Sequence, residues 1–210
     1  MSFGVVEALP PLFVLFFSIV VHEFAHGYVA NRLGDPTAEK AGRLTLNPLA
    51  HVDIVGSVLV PLALIATGSR FLFGWAKPVP INPTHFRDPM VGMAKTGAAG
   101  PASNLILAFV AAILYRLGLG GFGSIASNLL RYAIEINVLL ALFNLMPIPP
   151  LDGSRVILPF VPRSVAKVYW DLEPYGMFIV IGLLVTGGLW LIITPFLAIF
   201  RSIFFGIAGL

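Results

Sequence analysis

The chain has 210 residues, of which 58% are hydrophobic and only 11% are charged. Soluble domains carry about 25% charged residues, so the composition excludes an ordinary soluble protein and indicates an integral membrane protein. The absence of cysteine excludes disulfides and thiolate metal ligands, and leaves histidine and the carboxylates as strong ligands. The net charge of +3 is spread along the chain without a long basic run, so nucleic-acid binding is not supported.

Four apolar segments reach the length of about 20 residues that a membrane span requires. They are residues 9–33, 94–117, 128–146 and the run from 175 to 210, which the Gly187-Gly188 pair interrupts. The last run is therefore either two spans or one span plus an interfacial helix. The first is interpreted as a retained span, because it lacks a basic region before it and a convincing cleavage site.

The expected fold is an all-α polytopic membrane protein with about 5–6 transmembrane or re-entrant helices. Seventeen prolines and 21 glycines indicate broken segments and a short membrane-associated extended loop. No internal repeat or long polar block is visible, so we expect one domain over residues 1–210. Its core would cover about residues 9–160, followed by C-terminal helices at about 172–210.

Residues 54–67 are apolar but too short for an ordinary span, and Gly56 and Pro61 lie in their interior. If this segment does not cross, most loop cations fall on one side of the membrane, and the positive-inside rule places that side in the cytoplasm. The N-terminus is then outside. The cations on the expected cytoplasmic side are Arg32, Lys40, Arg43, Arg70, Lys77, Arg87, Lys95, Arg155, Arg163 and Lys167, against Arg116 and Arg131 opposite.

The stretch HEFAH places His22, Glu23 and His26 inside the first apolar segment. Residues four apart share one face of a helix, so both imidazoles can bind one metal ion. Zinc at a catalytic site takes three protein ligands and leaves one position open, so one ligand is missing. Glu23 would instead accept a proton from the activated water. The alternatives are that the pattern occurs by chance, or that the site binds a metal ion without catalysing a reaction.

The third ligand is sought in the proline-rich stretch NLMPIPPLDG, residues 144–153. A segment with this many prolines cannot remain helical, and an extended chain would bring Asp152 back to the helix bundle. An ordinary turn in which Asp152 caps the next helix is an equally good interpretation of the spacing. The residues alone leave these two alternatives open.

HEFAH, GPASN at 100–104 and NLMPIPPLDG together resemble the site-2 protease family of intramembrane zinc metalloproteases. Two further stretches, NPLAHVDIVGS from Asn47 and GWAKPVPINP at 74–83, resemble one subgroup of this family. Its members are short bacterial proteins that lack PDZ or CBS domains. The resemblance implies one Zn²⁺ per chain, held by His22, His26 and Asp152. It further implies Glu23 as general base and Asn144 as a group that binds the substrate carbonyl or stabilises the tetrahedral intermediate.

The implied activity is hydrolysis of peptide bonds within or near the transmembrane segments of membrane-protein substrates. The family likeness also implies that the span carrying HEFAH and the span leading to the LDG stretch, residues 151–153, run parallel. It places the site on the cytosolic side of a cell membrane. Two rival interpretations remain, a metal-binding transporter or sensor and a catalytically inactive homologue.

Three further residues are interpreted as substrate-binding candidates. Asn104 is an amide inside an apolar span, where helix packing explains it as well as a place in the active site does. Trp75 and Lys77 lie in the proline-rich stretch 73–82, which favours an extended backbone that could pair with an unwound substrate.

The remaining polar residues are kept out of the site. His51, Asp53 and His85 are expected to be solvated or interfacial and are left out of the metal shell. Glu135 is expected to pair with Arg131, one helical turn earlier in the same span.

Overall fold

The computed structural model describes residues 5–66, 76–119 and 124–210, and within these ranges the chain is helical without a β-strand. The prediction of an all-α polytopic fold is confirmed. The nine α-helices of the described ranges are α1 (Val5–Arg32), α2 (Thr37–Lys40), α3 (Val60–Ala66), α4 (Pro89–Arg116), α5 (Ile125–Asn144), α6 (Asp152–Ile157), α7 (Arg163–Leu172), α8 (Gly176–Val185) and α9 (Gly188–Ala208).

Short helical turns join several of these helices. They are 3-10 turns at Pro48–His51, Pro83–His85, Leu158–Phe160 and Glu173–Tyr175, and a π-helical turn at Ile54–Leu59. The π turn and α3 form the short apolar segment. Together they cover 13 residues, Ile54 to Ala66, or about 20 Å at helical rise, against a hydrocarbon core of about 30 Å.

Three long helices, α1, α4 and α5, form the centre of the bundle. His26 of α1 contacts Thr96 of α4, and Ser18, eight residues earlier, contacts Asn104, so α1 and α4 run antiparallel. Ser18 also contacts Asn137 of α5, and the later residues His26 and Asn144 line one cavity, so α5 runs parallel to α1. We name the two ends of this bundle by the limits of α5, the Asn144 end and the Ile125 end.

The start of α4 shows why helix limits are hard to place from hydropathy. α4 begins at Pro89, five residues before the apolar run at 94. The Asp88 side chain accepts hydrogen bonds from the backbone N–H groups of Met90 and Val91, and proline suits the first helical position. The charged residues Asp88 and Lys95 lower the hydropathy of this region, so the apolar run begins later than the helix does.

Helix α9 runs the full length of the bundle from the Asn144 end to the Ile125 end. Near its start, Leu189 packs in a cluster with Met146, which follows α5. Near its end, Ala208 packs with Tyr115 of α4, and the Arg116 guanidinium donates to the Ile207 carbonyl over 3.2 Å. Alanines of α4 at these contacts allow the two helices to approach closely.

Residues 163–185, comprising α7, a 3-10 turn and α8, are long and apolar enough to span a bilayer, but their packing is that of a segment that stays at one end. They are one of five such candidates, with residues 10–32, 89–116, 125–144 and 188–208. The Tyr169 hydroxyl donates to the Pro147 carbonyl over 3.2 Å. Fifteen residues later, Leu184 still packs against the cluster that contains Met146 and Leu151. Among the helices of the described residues, α1, α4, α5 and α9 therefore run from end to end.

Two expectations about polar residues are wrong. Glu135 pairs with Arg201 of α9 at 2.8 Å instead of with Arg131, because α9 packs along that face of α5. His51 is fully buried instead of solvated, and its Nε2 is bonded to the Thr45 carbonyl at 2.8 Å. Both residues are paired with groups that the local sequence does not reveal.

Candidate metal centre

His22 and His26 lie one turn apart on α1, and both side chains are buried against α4. Nδ1 of His26 is 2.7 Å from the backbone carbonyl of Thr96, which can only accept, so Nδ1 carries the proton. Nδ1 of His22 is 2.6 Å from the side-chain oxygen of Asn104. These partners leave the Nε2 lone pair of each neutral imidazole directed at the same point.

Asp152 reaches the two histidines because the chain turns back sharply after α5. Leu151 is the N-cap of α6, and Asp152 is the first residue inside this helix. The capping interpretation of Asp152 is therefore wrong. A side chain at Gly153 would overlap the Leu145 carbonyl, so the turn requires glycine there.

Three acceptor atoms converge at this point. Oδ2 of Asp152 lies 3.1 Å from Nε2 of His22 and 3.2 Å from Nε2 of His26, and the two nitrogens are 3.0 Å apart. Tetrahedral zinc with bonds of about 2.0–2.1 Å separates its ligands by about 3.3 Å, close to these distances. Oδ2 is buried and has no hydrogen-bond donor within the described residues. A cation would satisfy all three atoms, so the donor set fits zinc.

Gly100 of α4 provides the space for the imidazoles. A methyl group there would lie 2.6 Å from Nε2 of His22 and would also overlap the His26 ring. Gly97, one turn earlier, faces the Asp152 carbonyl, where a methyl group would be 3.2 Å away. Small residues on α4 thus allow α1 and α6 to meet around the three convergent atoms.

Glu23 lies beside the histidines at a cavity of about 380 Å³. Its Oε2 accepts a hydrogen bond of 2.8 Å from the backbone N–H of Val79. The cavity reaches both the ligand atoms and the apolar faces of α5 and α8. It is lined by Ile19, His22, Glu23, His26, Ala76, Pro78, Val79, Ile81, Leu140, Phe143, Asn144, Pro150, Leu151, Asp152, Arg155, Met177 and Val180.

The remaining predicted site residues occupy different positions. Asn144 lines the cavity, and its amide donates to the Leu140 carbonyl over 3.0 Å, which leaves a second N–H available. Asn104 is fully buried behind the His22 ring and is absent from the cavity lining. Lys77 is exposed and also absent from that lining, and Trp75 falls outside the described residues.

An extended segment, residues 76–82, forms one wall of the cavity and is tied down by buried charges that sequence reasoning missed. Arg43 donates to the Lys77 and Pro78 carbonyls at 2.6 and 3.3 Å. The fully buried Asp35 accepts from the Asn82 backbone N–H at 2.7 Å and pairs with His85 at 2.8 Å. A charged residue in a connecting loop gives no local signal of such contacts.

The environment of Asp35 favours its ionised form. Burial by itself would raise the pKa of this carboxyl group, but hydrogen bonds from Thr37, from the Asn82 backbone and from His85 outweigh that effect. The pKa of Asp35 is therefore lowered from its ordinary value. Asp35 lies after the end of α1, so this carboxylate holds the loop segment and not the ligand atoms.

Within the described residues, His22, His26 and Asp152 form the group that could hold a metal ion. Two histidines and a glutamate on one helix, with a distant aspartate beside both histidines, are the arrangement of a zinc metalloprotease type of site, here in a membrane helix bundle.

The sequence of the chain is similar to a known protein family and to several named proteins. The model of peptidase family M50 matches residues 119–186. YwhC of Bacillus subtilis is 40% identical over 179 residues, which cover 82% of this chain and 78% of YwhC. Rip2 of Mycolicibacterium smegmatis is 31% identical over 174 residues, which cover 82% of this chain and 65% of Rip2. Both relatives are named as zinc metalloproteases.

A more distant relative is longer. MJ0392 of Methanocaldococcus jannaschii, also named as a zinc metalloprotease, is 26% identical over 158 residues, which cover 73% of this chain but 35% of MJ0392. No solved structure matches the chain significantly. The chain belongs to peptidase family M50, the site-2 protease family, and the resemblance seen in the sequence motifs is confirmed.

Proposed function

We propose that the protein is an intramembrane zinc endopeptidase that hydrolyses peptide bonds within or near transmembrane segments of membrane-protein substrates. The observation that carries the proposal is the convergence of His22, His26 and Asp152 beside Glu23 at an open cavity inside a membrane helix bundle. His22 lies ten residues before the end of α1, or about 15 Å along the helix axis. A bond cut at this site would lie at membrane depth.

His22, His26 and Asp152 would hold one zinc ion per chain. Zinc at such a site supplies a Lewis acid that polarises a peptide carbonyl and acidifies water. Glu23 then removes a proton from the attacking water and delivers it to the leaving amine. The hydrogen bond from the Val79 N–H fixes Oε2 of this carboxylate, so the other carboxylate oxygen is the one that accepts the proton.

Asn144 is placed to act on the substrate carbonyl. Its amide has one N–H held by the Leu140 carbonyl and lies in the cavity wall with Glu23. An amide fixed in this way can donate to an oxygen on which negative charge develops during attack. We assign Asn144 the role of binding that oxygen.

The extended segment 76–82 would bind the unwound substrate by strand addition. Within the described residues, the Val79 carbonyl and both backbone groups of Ile81 make no hydrogen bond, whereas Lys77 already bonds His51 and Arg43. The free edge is therefore at Val79 and Ile81, next to Glu23. Ile81→Pro should reduce cleavage and leave zinc content unchanged. Wild-type cleavage by Ile81→Pro would exclude this edge.

The charge distribution supports a cytoplasmic site in a cell membrane and an N-terminus outside. Positively charged residues concentrate near the Asn144 end of the bundle, as the positive-inside rule requires of a cytoplasmic side. The proposed partners of the protein are the lipid bilayer and a transmembrane protein substrate. The described cations near the Asn144 end are Arg32, Lys40, Arg43, Lys77, Arg87, Lys95, Arg155, Arg163 and Lys167, against Arg116, Arg131 and Arg201 elsewhere.

Membranes from cells that lack the native protein, supplied with the wild type or with Glu23→Gln, test the proposal. Mass spectrometry of new peptide termini should find cuts inside apolar segments that depend on the wild type. Equal termini in both samples would exclude proteolysis by this site and favour an inactive homologue. A transporter or sensor would show metal binding without any new termini.

A further inference from the structure

We infer that Asn137 and Ser18, through Asn104, are positioning residues that hold the His22 imidazole in the tautomer required for zinc. The inference rests on the zinc site of the proposed function but not on protease activity. Neither Asn137 nor Ser18 belongs to the HEFAH, GPASN or LDG motifs. Neither of them lines the cavity.

A continuous chain of hydrogen bonds links these residues across three helices. Oδ1 of Asn104 on α4 lies 2.6 Å from Nδ1 of His22 on α1. The Asn104 amide donates to Oδ1 of Asn137 on α5 over 2.9 Å. The Asn137 amide donates in turn to the Ser18 hydroxyl over 2.9 Å, which returns the chain to α1 one turn before His22.

The direction of every bond in this chain follows from its far end. The Ser18 hydroxyl donates its one proton to the Val14 carbonyl over 2.8 Å, so it must accept from Asn137. Asn137 uses its second N–H on the Ala133 carbonyl at 2.9 Å, so its Oδ1 faces Asn104 as an acceptor. Ser18 thereby sets the amide orientation of Asn137.

Asn104 then has a single orientation that satisfies its neighbours. Its two N–H groups point to Oδ1 of Asn137 and to the Ser18 carbonyl, at 2.9 and 3.4 Å. Its Oδ1 must accept, so Nδ1 of His22 must donate and Nε2 must present its lone pair to Asp152 and the metal position. Partners of this kind hold the tautomer and ring orientation of a metal-binding histidine.

Burial makes this arrangement rigid. Ser18, Asn104 and Asn137 are 1%, 0% and 1% exposed, so water cannot replace a missing partner. Loss of one amide in such a network leaves neighbouring donors and acceptors unsatisfied and frees the next amide to rotate. The consequence at His22 is a mixture of tautomers, of which one presents an N–H to the metal.

Zinc affinity of the purified full-length protein, measured by competition with a chelator, tests the inference. Asn137→Leu removes the amide but keeps an apolar side chain that suits a membrane helix, and Ser18→Ala removes the hydroxyl. Both should weaken zinc binding by about 10- to 100-fold, as loss of a partner of a metal ligand does. The visible absorption spectrum of the Co²⁺-substituted protein should also change, because the His22 ring is no longer held in one orientation.

Two control variants separate positioning from folding. Ser18→Thr keeps the hydroxyl and should retain wild-type zinc affinity, and Asn128→Leu removes an exposed amide from the same helix. Wild-type zinc affinity and an unchanged cobalt spectrum in Asn137→Leu would overturn the inference and leave the proposed function standing. A wild type that binds no zinc would overturn the proposed function and the inference with it.

Discussion

The carboxylate of Glu23 accepts a 2.8 Å hydrogen bond from the backbone N–H of Val79, so the proposed base is attached to the extended segment 76–82. One contact thus links the HEFAH helix to the wall of the cavity where a substrate would lie. Arg43 and Asp35 bond the same segment at Lys77 and at Asn82. The proposed base, the proposed substrate edge and the helix that carries His22 and His26 are therefore joined by hydrogen bonds.

Glu23→Gln should abolish cleavage while leaving zinc binding unchanged. The glutamine amide is nearly isosteric and keeps an oxygen for the Val79 N–H, but it cannot take a proton from water. Loss of a general base costs about 100- to 10,000-fold in rate. The measurement is cleavage of a substrate identified by terminal peptide mapping, with Glu39→Gln on α2 as the matched control. Near-wild-type cleavage by Glu23→Gln would show that another group acts as base.

Gly100→Ala should lower zinc affinity sharply without unfolding the bundle. The new methyl group would lie 2.6 Å from Nε2 of His22, so the imidazole must move away from the metal position. Gly206→Ala on α9 is the control, because a methyl group there meets no atom within 4 Å. Chelator competition compares the two variants. Equal zinc affinities would mean that the space beside Gly100 is not required.

Asp35 should make unfolding stability depend on acid pH. Its pKa is lowered in the folded state, so its stabilising contribution is complete above the ordinary carboxyl value of about 3.9 and is lost as the pH falls through the folded pKa. Asp35→Asn should reduce the unfolding free energy by about 1–3 kcal/mol near neutral pH, since it weakens charge-assisted hydrogen bonds.

Thermal unfolding in detergent, followed from about pH 6 to about pH 3, checks this dependence. The difference in unfolding temperature between the wild type and Asp35→Asn should become smaller as the pH falls. His85→Gln, which keeps a hydrogen-bond donor for Asp35, is the control and should show the same pH dependence as the wild type. A difference that is constant over the whole range would exclude a lowered Asp35 pKa.

The course of residues 163–185 predicts which positions share one side of the membrane. The chain has no cysteine, so single cysteines can be labelled without background. Ser164→Cys and Thr186→Cys should react with an impermeant thiol reagent from the same side, and Leu210→Cys from the opposite side. This pattern follows because α7 and α8 stay near Met146 whereas α9 runs to Tyr115. Labelling of Ser164→Cys and Thr186→Cys from opposite sides would mean that the segment crosses.

The sequence predicts those parts of the site that depend on short spacing. The i, i+4 relation of His22 and His26 survives folding because it is a property of the helix itself. The spacing alone fits Asp152 equally well as a metal ligand and as a helix cap, since its position depends on how the chain turns after α5. The family resemblance, and not the spacing, implies that Asp152 is a ligand.

Contacts between distant segments were not predictable. Asn137 lies in an apolar span where nothing in the sequence shows that it faces Asn104 and not lipid. The i, i+4 spacing on one helix predicts that Glu135 pairs with Arg131, but α9 brings Arg201 to Glu135 from 66 residues away. Buried charges such as Asp35 and Arg43 likewise show their partners only once the loops are folded.

Zinc content of the folded wild type, compared with Asp152→Ala, tests the central claim most directly. The protein is purified in detergent and its metal is measured by elemental mass spectrometry, with Asp171→Ala on exposed α7 as the control. We expect about one zinc per chain in the wild type and the control, and little in Asp152→Ala, because two histidines alone do not complete the ligand set. A folded wild type that takes up no supplied zinc, or Asp152→Ala with wild-type zinc, would contradict the account.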